Sequence, residues 1–128
     1  MYCPHKRVAH SIKKQQDFKR VYSQGKYAAD ALFVAYALAN ELNHNRLGIS
    51  ISKKANKSAV VRNRVKRWVK ESLRLRAAPA PAGKNYDLII VARAKATELN
   101  RKEGAFLTVD KSIDGLLGRL SKKAGFCL

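Results

Sequence analysis

Acidic residues are scarce in this sequence and cysteines are almost absent, and each shortage excludes a class of protein. The 128 residues include 9 Asp and Glu against 27 Lys and Arg. No two of the acids share a motif, so no acid–base pair for catalysis is evident. Cys3 and Cys127 lie near opposite ends of the chain and form no C-x-x-C pair. Cys3 and His5 could supply two ligands, but nothing nearby completes a tetrahedral set, so we predict no structural zinc site.

Long apolar segments are also missing. The longest, residues 31–39, falls short of the roughly 18 residues that a membrane span requires. The first seven residues are followed by no hydrophobic segment typical of a secretory signal. Two unpaired cysteines in a cationic chain without such a signal predict a cytoplasmic location.

Positive charge is what the sequence has in excess, with a formal net charge of +18. So large a charge destabilises a folded chain through self-repulsion and favours a large anionic partner, either nucleic acid or an anionic membrane surface. Because no apolar segment suits a membrane, we favour nucleic acid. With 46% hydrophobic residues the chain can bury a core. We therefore predict a single RNA-binding domain over residues 1–128, with loose tails at 1–10 and 121–128 and an Ala/Pro surface loop at 77–85.

The densest positive charge lies between Lys53 and Arg76, where ten basic residues accompany one acid. On a helix that begins near Ser58, an apolar stripe falls on one side: Val61, Val65, Trp68, Val69 and Leu73. The opposite side carries Asn63, Lys66, Arg67, Lys70 and Arg74. Like charges at these spacings repel by about 0.2–0.5 kcal/mol per pair, so this face predicts a polyanionic ligand. The alternative, a solvated charged face, normally mixes signs.

Periodicity predicts the remaining elements. A helix begins near Gln15 and ends at Gly25. Residues 30–38 and 47–51 alternate as two strands, which we expect to pair as an antiparallel hairpin, and Gly48 suggests a bulge or a close approach. Residues 88–92 form a buried strand, parallel to its neighbour across the basic helix. A last helix over residues 101–120 covers a face of the sheet.

Aromatic residues allow two interpretations. Phe18 and Tyr22 share a helix face, and Tyr36 lies on a strand expected nearby. Exposed rings beside basic residues can stack on unpaired bases. Spacing alone favours the other interpretation, in which these rings and Trp68 belong to the core.

Catalytic motifs are missing. The sequence contains no G-x-S-x-G, no H-E-x-x-H and no glycine loop for a phosphate. We therefore favour a protein that binds nucleic acid over one that cleaves it. A standalone nuclease stays open, because active sites can assemble from distant residues.

The segment Arg62-Asn63-Arg64-Val65-Lys66-Arg67 resembles the R-N-R-x-K-R signature of the protein subunit of bacterial ribonuclease P. It follows residues 47–54, which are similar to the segment that precedes the signature in that family. Residues 17–22 with Gly25 resemble the family's first helix, residues 33–36 its first strand, and Ala92-Arg93 the end of a late strand. The resemblance extends from about residue 11 to 120, and only the Ala/Pro loop departs from it.

The resemblance implies an α/β (α+β) sandwich, ribosomal protein S5 domain 2-like, in which helices pack on a four-stranded sheet. It also implies a left-handed β-α-β crossover that carries the arginine-rich helix, whereas general topology rules would predict a right-handed one.

The resemblance further implies a protein that assists a catalytic RNA in the Mg²⁺-dependent removal of the 5′ leader from precursor tRNA. The RNA would carry the chemistry, so no catalytic residue is expected in the protein, and Mg²⁺ would be bound mainly by the RNA, with Asn63 near it. The residues that would bind the catalytic RNA are Lys57, Arg62, Asn63, Arg64, Lys66, Arg67 and Lys70. The cleft for the single-stranded leader would consist of Phe18, Tyr22, Tyr36, Lys14, Lys53, Lys54 and Arg93.

Two other functions remain as alternatives. A structural or ribosomal-type RNA-binding protein would share the charge and the basic helix, but would have no reason to gather aromatic residues around one cleft. A DNA-binding protein is less favoured, because no pair of recognition helices or dimer seam is evident. We therefore expect no membrane and no DNA among the partners.

Overall fold

Helices and strands alternate along the part of the chain that the computed structural model describes, residues 10–40, 46–75, 85–99 and 102–124. The elements are β1 (His10–Ser11), α1 (Gln15–Gln24), β2 (Lys26–Ala29), β3 (Phe33–Asn40), β4 (Arg46–Ile51), α2 (Ala59–Leu75), β5 (Asn85–Ala92), α3 (Ala94–Thr97) and α4 (Ala105–Ala124). None of the helices in these ranges is both long enough and apolar enough to cross a membrane.

The strands form one mixed sheet in the order β1-β4-β5-β3-β2. β4 is parallel to β1 and β5, whereas β3 is antiparallel to β5 and β2. The four longer strands confirm the predicted four-stranded sheet with packed helices, and the two-residue β1 extends its edge. Strand β2 was not predicted.

The expected hairpin between the strands at 30–38 and 47–51 is wrong. β5 lies between them, with Ile89 paired to Tyr36 on one side and to Gly48 on the other. Leu88, Ile89 and Ile90 are almost completely buried, and a central position removes both faces of such an apolar strand from water. The predicted parallel arrangement of β4 and β5 across the basic helix is confirmed. The left hand of that crossover stays a prediction.

The helix ends agree with the sequence in most places. Ser58 caps the N-terminus of α2, where its Oγ accepts a hydrogen bond of 3.3 Å from the Val61 amide. α1 ends at Gly25 as predicted, although the φ of Gly25 is −79°. A Cβ on Gly25 would lie 2.6 Å from the Val21 carbonyl oxygen and 2.8 Å from that of Ala37, so close backbone approach requires the glycine.

The last helix differs most from its prediction. α4 begins at Ala105 instead of residue 101 and continues to Ala124, so the loose tail expected from residue 121 is wrong for residues 121–124. β1 likewise includes residue 10 of the expected leader. The Ala/Pro loop expected at 77–85 is wrong at residue 85, which begins β5. The predictions for residues 1–9, 77–84 and 125–128, including those for both cysteines, lie outside the described residues. The single domain stays a prediction.

The main core lies between one face of the sheet and helices α2 and α4. It contains Phe33, Ala35, Ala37, Leu88, Ile90, Val65, Val69, Leu73, Val109, Ile113, Leu116 and Leu120. The predicted apolar stripe of the basic helix is therefore confirmed at Val65, Val69 and Leu73. Trp68 packs against this core and is partly buried. α4 covers the sheet, as predicted.

The opposite face of the sheet packs against α1. Ile12, Val21 and Ile89 are buried there, and Phe18, Tyr36, Leu38 and Val91 are partly buried around them. This second, smaller core sets the position of α1 over strands β3 and β5. Phe18, Tyr22 and Tyr36, the aromatic residues considered for stacking, all lie on this side.

Candidate nucleic-acid interface

Aromatic rings form a row across the α1 side of the sheet. The ring of Tyr22 lies 4.9 Å from that of Tyr36 in an edge-to-face arrangement with an interplanar angle of 75°. Phe18 lies 6.2 Å from Tyr22, one helical turn away on α1. The structure thus brings together all three aromatic residues that the resemblance assigned to one cleft. Tyr22 is 40% exposed, so the row is not simply core.

Gly48 provides the flat surface under the ring of Phe18. A Cβ at this position would lie 2.8 Å from Cζ and 2.9 Å from Cε1 of Phe18, closer than real side chains approach. Gly48 pairs with Ile89, and Ile89 pairs with Tyr36, so these residues lie in one line across the strands. Of the two roles suggested for Gly48, the close approach is confirmed.

Tyr27 adds a fourth ring that the sequence analysis missed. It lies opposite Tyr36 in the antiparallel pair of β2 and β3, with the ring centres 5.9 Å apart. Its side chain is 57% exposed. The row of Phe18, Tyr22, Tyr36 and Tyr27 is called the aromatic row below. β2 is only four residues long and contains two alanines, and this gives little periodic signal.

A buried carboxylate fixes α1 and β4 relative to the rest of the sheet. Asp87 of β5 is fully buried and accepts two hydrogen bonds from Arg46, at 2.8 Å from Nε and 2.6 Å from Nη2. Asn40 donates to the same carboxylate at 2.7 Å, and Arg20 of α1 at 3.3 Å. Arg46 also donates to Asp17 of α1 at 3.2 Å. These five residues, called the Asp87 network below, were not identified from the sequence.

The charges of the Asp87 network are mutually stabilised. Burial raises the pKa of Asp87, but the hydrogen bonds from Arg46 and Asn40 and the charge of Arg46 outweigh it, so the net pKa lies below its usual value. The hydrogen bond to Asp87 raises the pKa of Arg46. Both groups are therefore ionised at neutral pH. Because two α1 residues join this network, it holds the helix that carries Phe18 and Tyr22.

Tyr22 is joined to the sheet by its hydroxyl group as well. Burial raises the pKa of Tyr22, a hydrogen bond with Ser50 of β4 lowers it, and the nearby Tyr36 raises it, so the net pKa is above its usual value. The phenol is neutral at physiological pH. It therefore presents an uncharged ring, which can stack without repelling an RNA strand.

The basic residues expected in the cleft divide into two groups. Lys53, Lys54 and Arg93 are exposed at the end of the sheet where β4 and β5 finish, because Ile51 pairs with Ala92 there. Lys14 is also exposed but precedes α1. The nearby Ile12 amide donates to Leu47, at the beginning of β4. At about 3.3 Å per residue, the length of β4 separates these two groups by roughly 17 Å.

The basic face of α2 is accessible as the sequence predicted. Asn63, Arg67 and Lys70 are exposed, as is Lys57 before the helix, and Arg64 and Lys66 are partly buried. The side chain of Arg74 lies outside the described residues. Arg62 differs from its neighbours, because its Nη1 donates to the carbonyl oxygens of Asn56 at 2.8 Å and Lys57 at 2.9 Å. Arg62 therefore fastens the loop of residues 52–57 to the helix.

The protein offers few metal ligands in the residues that the structure describes. Among them, no group of three or more His, Cys, Asp or Glu side chains could hold a metal ion. Asn63 is exposed on α2, and its amide oxygen is the type of ligand that Mg²⁺ accepts. One such oxygen fits a role beside a metal bound by other groups, not a protein site.

Comparison with known proteins supports one family across most of the chain. The model of the ribonuclease P family matches residues 7–120. The ribonuclease P protein component of Caldanaerobacter subterraneus subsp. tengcongensis is 48% identical over 106 residues, which cover 83% of this chain and 84% of that protein. The same component of Clostridium kluyveri is 44% identical over 114 residues, covering 89% of this chain and 93% of the relative.

Solved structures agree. The RNase P protein of Staphylococcus aureus superposes with a TM-score of 0.73 at 35% identity, covering 86% of this chain and 94% of that one. The RNase P protein of Thermotoga maritima gives a TM-score of 0.71 at 28% identity, covering 88% and 96% of the two chains. The fold and the sequence therefore point to the same family.

Proposed function

This chain belongs to the ribonuclease P protein family, and from that membership we propose that it is the protein subunit of the ribonucleoprotein that matures the 5′ end of tRNA. The protein binds RNA, and a catalytic RNA partner carries out the hydrolysis of one phosphodiester bond. The low number of acids and the lack of a catalytic motif support this division of labour. Such a protein works in the cytoplasm, where tRNA is processed.

The aromatic row is the observation that carries the proposed binding role. The centres of neighbouring rings in the row are 4.9–6.2 Å apart, and Tyr22 and Tyr27 are exposed. Stacking on such rings accepts any base, as a subunit that serves many precursor tRNAs requires. We assign the single-stranded 5′ leader to this row. Lys53, Lys54 and Arg93 neutralise phosphates on one side of the row, beyond the ends of β4 and β5, and Lys14 does so on the other side, near the beginning of β4.

The basic face of α2 contacts the catalytic RNA in this proposal. Arg64, Lys66, Arg67 and Lys70 neutralise phosphates and release counterions, which gives affinity without reading sequence. Arg62 and Lys57 act on the same interface, because Arg62 holds the loop that presents Lys57. Mg²⁺ is held mainly by the RNA, where it supplies charge stabilisation for the cleavage, and Asn63 contributes at most one oxygen near it.

The function is tested by measuring 5′ cleavage of a precursor tRNA at low Mg²⁺ concentration. The purified protein is assayed alone and together with a bacterial ribonuclease P RNA. We expect cleavage only when both are present. Cleavage by the protein alone would make it a nuclease. No stimulation of a cognate RNA would instead favour a structural RNA-binding protein.

The assignment of the leader is tested by Tyr36→Ala in the assembled enzyme. Removing one stacking ring should cost about 1–3 kcal/mol, or roughly 5- to 150-fold in affinity, for precursor tRNA that carries a leader. Leaderless tRNA should bind as it does to the unmodified enzyme. Tyr36→Phe keeps the ring and serves as the matched control. Equal losses for both substrates would exclude a leader contact at Tyr36.

A further inference from the structure

Tyr27 lies at the outer end of the aromatic row, beyond the residues that the family resemblance assigns to the cleft. It is the most exposed of the four rings, at 57%, and it belongs to β2, which ends the sheet on that side. Its ring is tilted by 35° to that of Tyr36, and the two centres are 5.9 Å apart. The aromatic surface therefore continues to the sheet edge.

Two basic side chains lie along the sheet edge at β2, on the face opposite the ring of Tyr27. Lys26 precedes it and is exposed. Arg119 of α4 reaches the same strand, where its Nη1 donates to the Ala29 carbonyl oxygen at 3.1 Å. The exposed ring offers a stacking surface on one face of the edge strand, and the basic side chains can neutralise the phosphates of a strand that passes around that edge, the two features that bind single-stranded nucleic acid.

The row has a direction relative to the helix that we assign to the catalytic RNA. α2 packs against β4, whereas α4 packs against β2 and β3. Phe18 lies over Gly48 of β4, the strand whose other face packs against α2. The row therefore begins at β4 and ends at Tyr27 on β2. Three strand spacings separate β4 from β2, or about 14 Å. A stacked strand advances about 3.4 Å per nucleotide along its axis, so the row has room for more than one nucleotide.

We propose that Tyr27 is a further stacking residue for single-stranded RNA, and that it binds a leader base farther from the cleavage site than the bases held at Tyr22 and Tyr36. The inference rests on the proposed function, because it takes the leader as the occupant of the row. A purely structural role is the alternative, since a cross-strand aromatic pair also stabilises β2 against β3.

The test measures the affinity of the assembled enzyme for precursor tRNAs whose leaders are lengthened one nucleotide at a time. Tyr27→Val removes the ring but keeps a residue that favours strands, and Tyr27→Phe keeps the ring. We expect Tyr27→Val to match the unmodified enzyme on short leaders and to lose at least about fivefold in affinity once the leader reaches β2. Tyr27→Phe should follow the unmodified enzyme at every length.

An abasic nucleotide identifies the contact directly. The abasic nucleotide is placed at the leader position at which Tyr27→Val begins to lose affinity. The unmodified enzyme should then lose affinity by the same factor as Tyr27→Val does with the normal leader. The Tyr27→Val enzyme should lose no further affinity. Additive losses from the two changes would overturn the proposal.

The remaining outcomes separate the inference from its premise. Two outcomes would show that the stacking role of Tyr27 is wrong while the leader cleft stands. In the first, Tyr27→Val weakens the binding of all substrates equally, including leaderless tRNA. In the second, Tyr27→Val has no effect although Tyr36→Ala weakens leader binding. If leader length does not alter the affinity of the unmodified enzyme, both the stacking role and the leader cleft are wrong.

Discussion

Gly48 shows how one residue determines the shape of the surface that we propose binds the leader. Its missing side chain lets the ring of Phe18 rest on β4, with ring atoms 2.8 and 2.9 Å from where a Cβ would be. The ring is held from other sides by the small core around Val21 and Ile89. It therefore cannot move aside without disturbing Tyr22, its neighbour in the row.

We predict that Gly48→Ala lowers the free energy of unfolding by about 1–3 kcal/mol, the usual cost of overpacking, and weakens leader binding because Phe18 is displaced. Thermal melting and leader-dependent affinity measure the two effects. Gly118→Ala is the control. It lies in α4 with open space around its Cβ, so alanine there should stabilise the helix. An unchanged melting temperature for Gly48→Ala would show that Phe18 adjusts freely.

At the scale of elements, the Asp87 network joins α1, β3, β4 and β5 through side chains that lie far apart in sequence. Breaking one partner of a buried ion pair is costly, because it leaves the other charge uncompensated. If Asp87 were neutral, Asp17 would be the carboxylate left in the network to pair with Arg46. The network therefore controls whether α1 holds its rings over the sheet.

We predict that Asp87→Asn lowers the free energy of unfolding at pH 7 by about 3 kcal/mol. Because the pKa of Asp87 is lower in the folded than in the unfolded protein, its stabilisation is complete above the unfolded value of about 3.9 and is lost as pH falls through the folded value. Denaturant unfolding across acidic pH should show the variant and the unmodified protein converging. Glu98→Gln, at an exposed acid, is the control. A gap that stays constant with pH would contradict the network's ionised state.

The basic helix α2 gives a prediction that depends on charge alone. Lys66→Ala should weaken binding to the catalytic RNA and reduce the slope of log K against log salt by roughly 0.7–0.9, because one counterion fewer is released. Lys111→Ala, on the exposed side of α4, is the control and should leave the slope unchanged. A slope that does not change for Lys66→Ala would remove Lys66 from the interface.

The same elements show what the sequence could and could not predict. The stripe of α2 and the burial of β5 follow from periodicity and composition, which report how a segment faces the core. The hairpin failed because alternation indicates which face is buried but not which strand lies alongside. The Asp87 network joins residues 41, 47 and 67 positions apart, which no local pattern reports. The cleft role of Phe18, Tyr22 and Tyr36 came from resemblance, since spacing alone favoured the core.

For the whole molecule, charge is the dominant property. A net charge of +18 on 128 residues stores self-repulsion that an anionic partner relieves. Any ligand that binds only the folded state stabilises it by mass action. The free protein is therefore expected to be less stable than the protein within its ribonucleoprotein.

We predict that pyrophosphate raises the melting temperature of the protein by several degrees. The effect should occur at concentrations too low for the general stabilisation by salts that are excluded from protein surfaces. Sodium chloride at the same ionic strength should raise it much less, since it only screens the charges. Differential scanning calorimetry provides the comparison. Equal increases with both salts would show that screening, not anion binding, relieves the repulsion.

The central position of β5 also has a consequence for biosynthesis. Of the strands in the described residues, β5 is the last to leave the ribosome, yet it fills the gap between β3 and β4. A nascent chain that has emerged only as far as residue 75 therefore has two strands without the partner that joins them. Because long-range pairing cannot form before both segments exist, the sheet closes only after residues 85–92 emerge. Closure of the sheet is thus expected to be a late event in the synthesis of this protein.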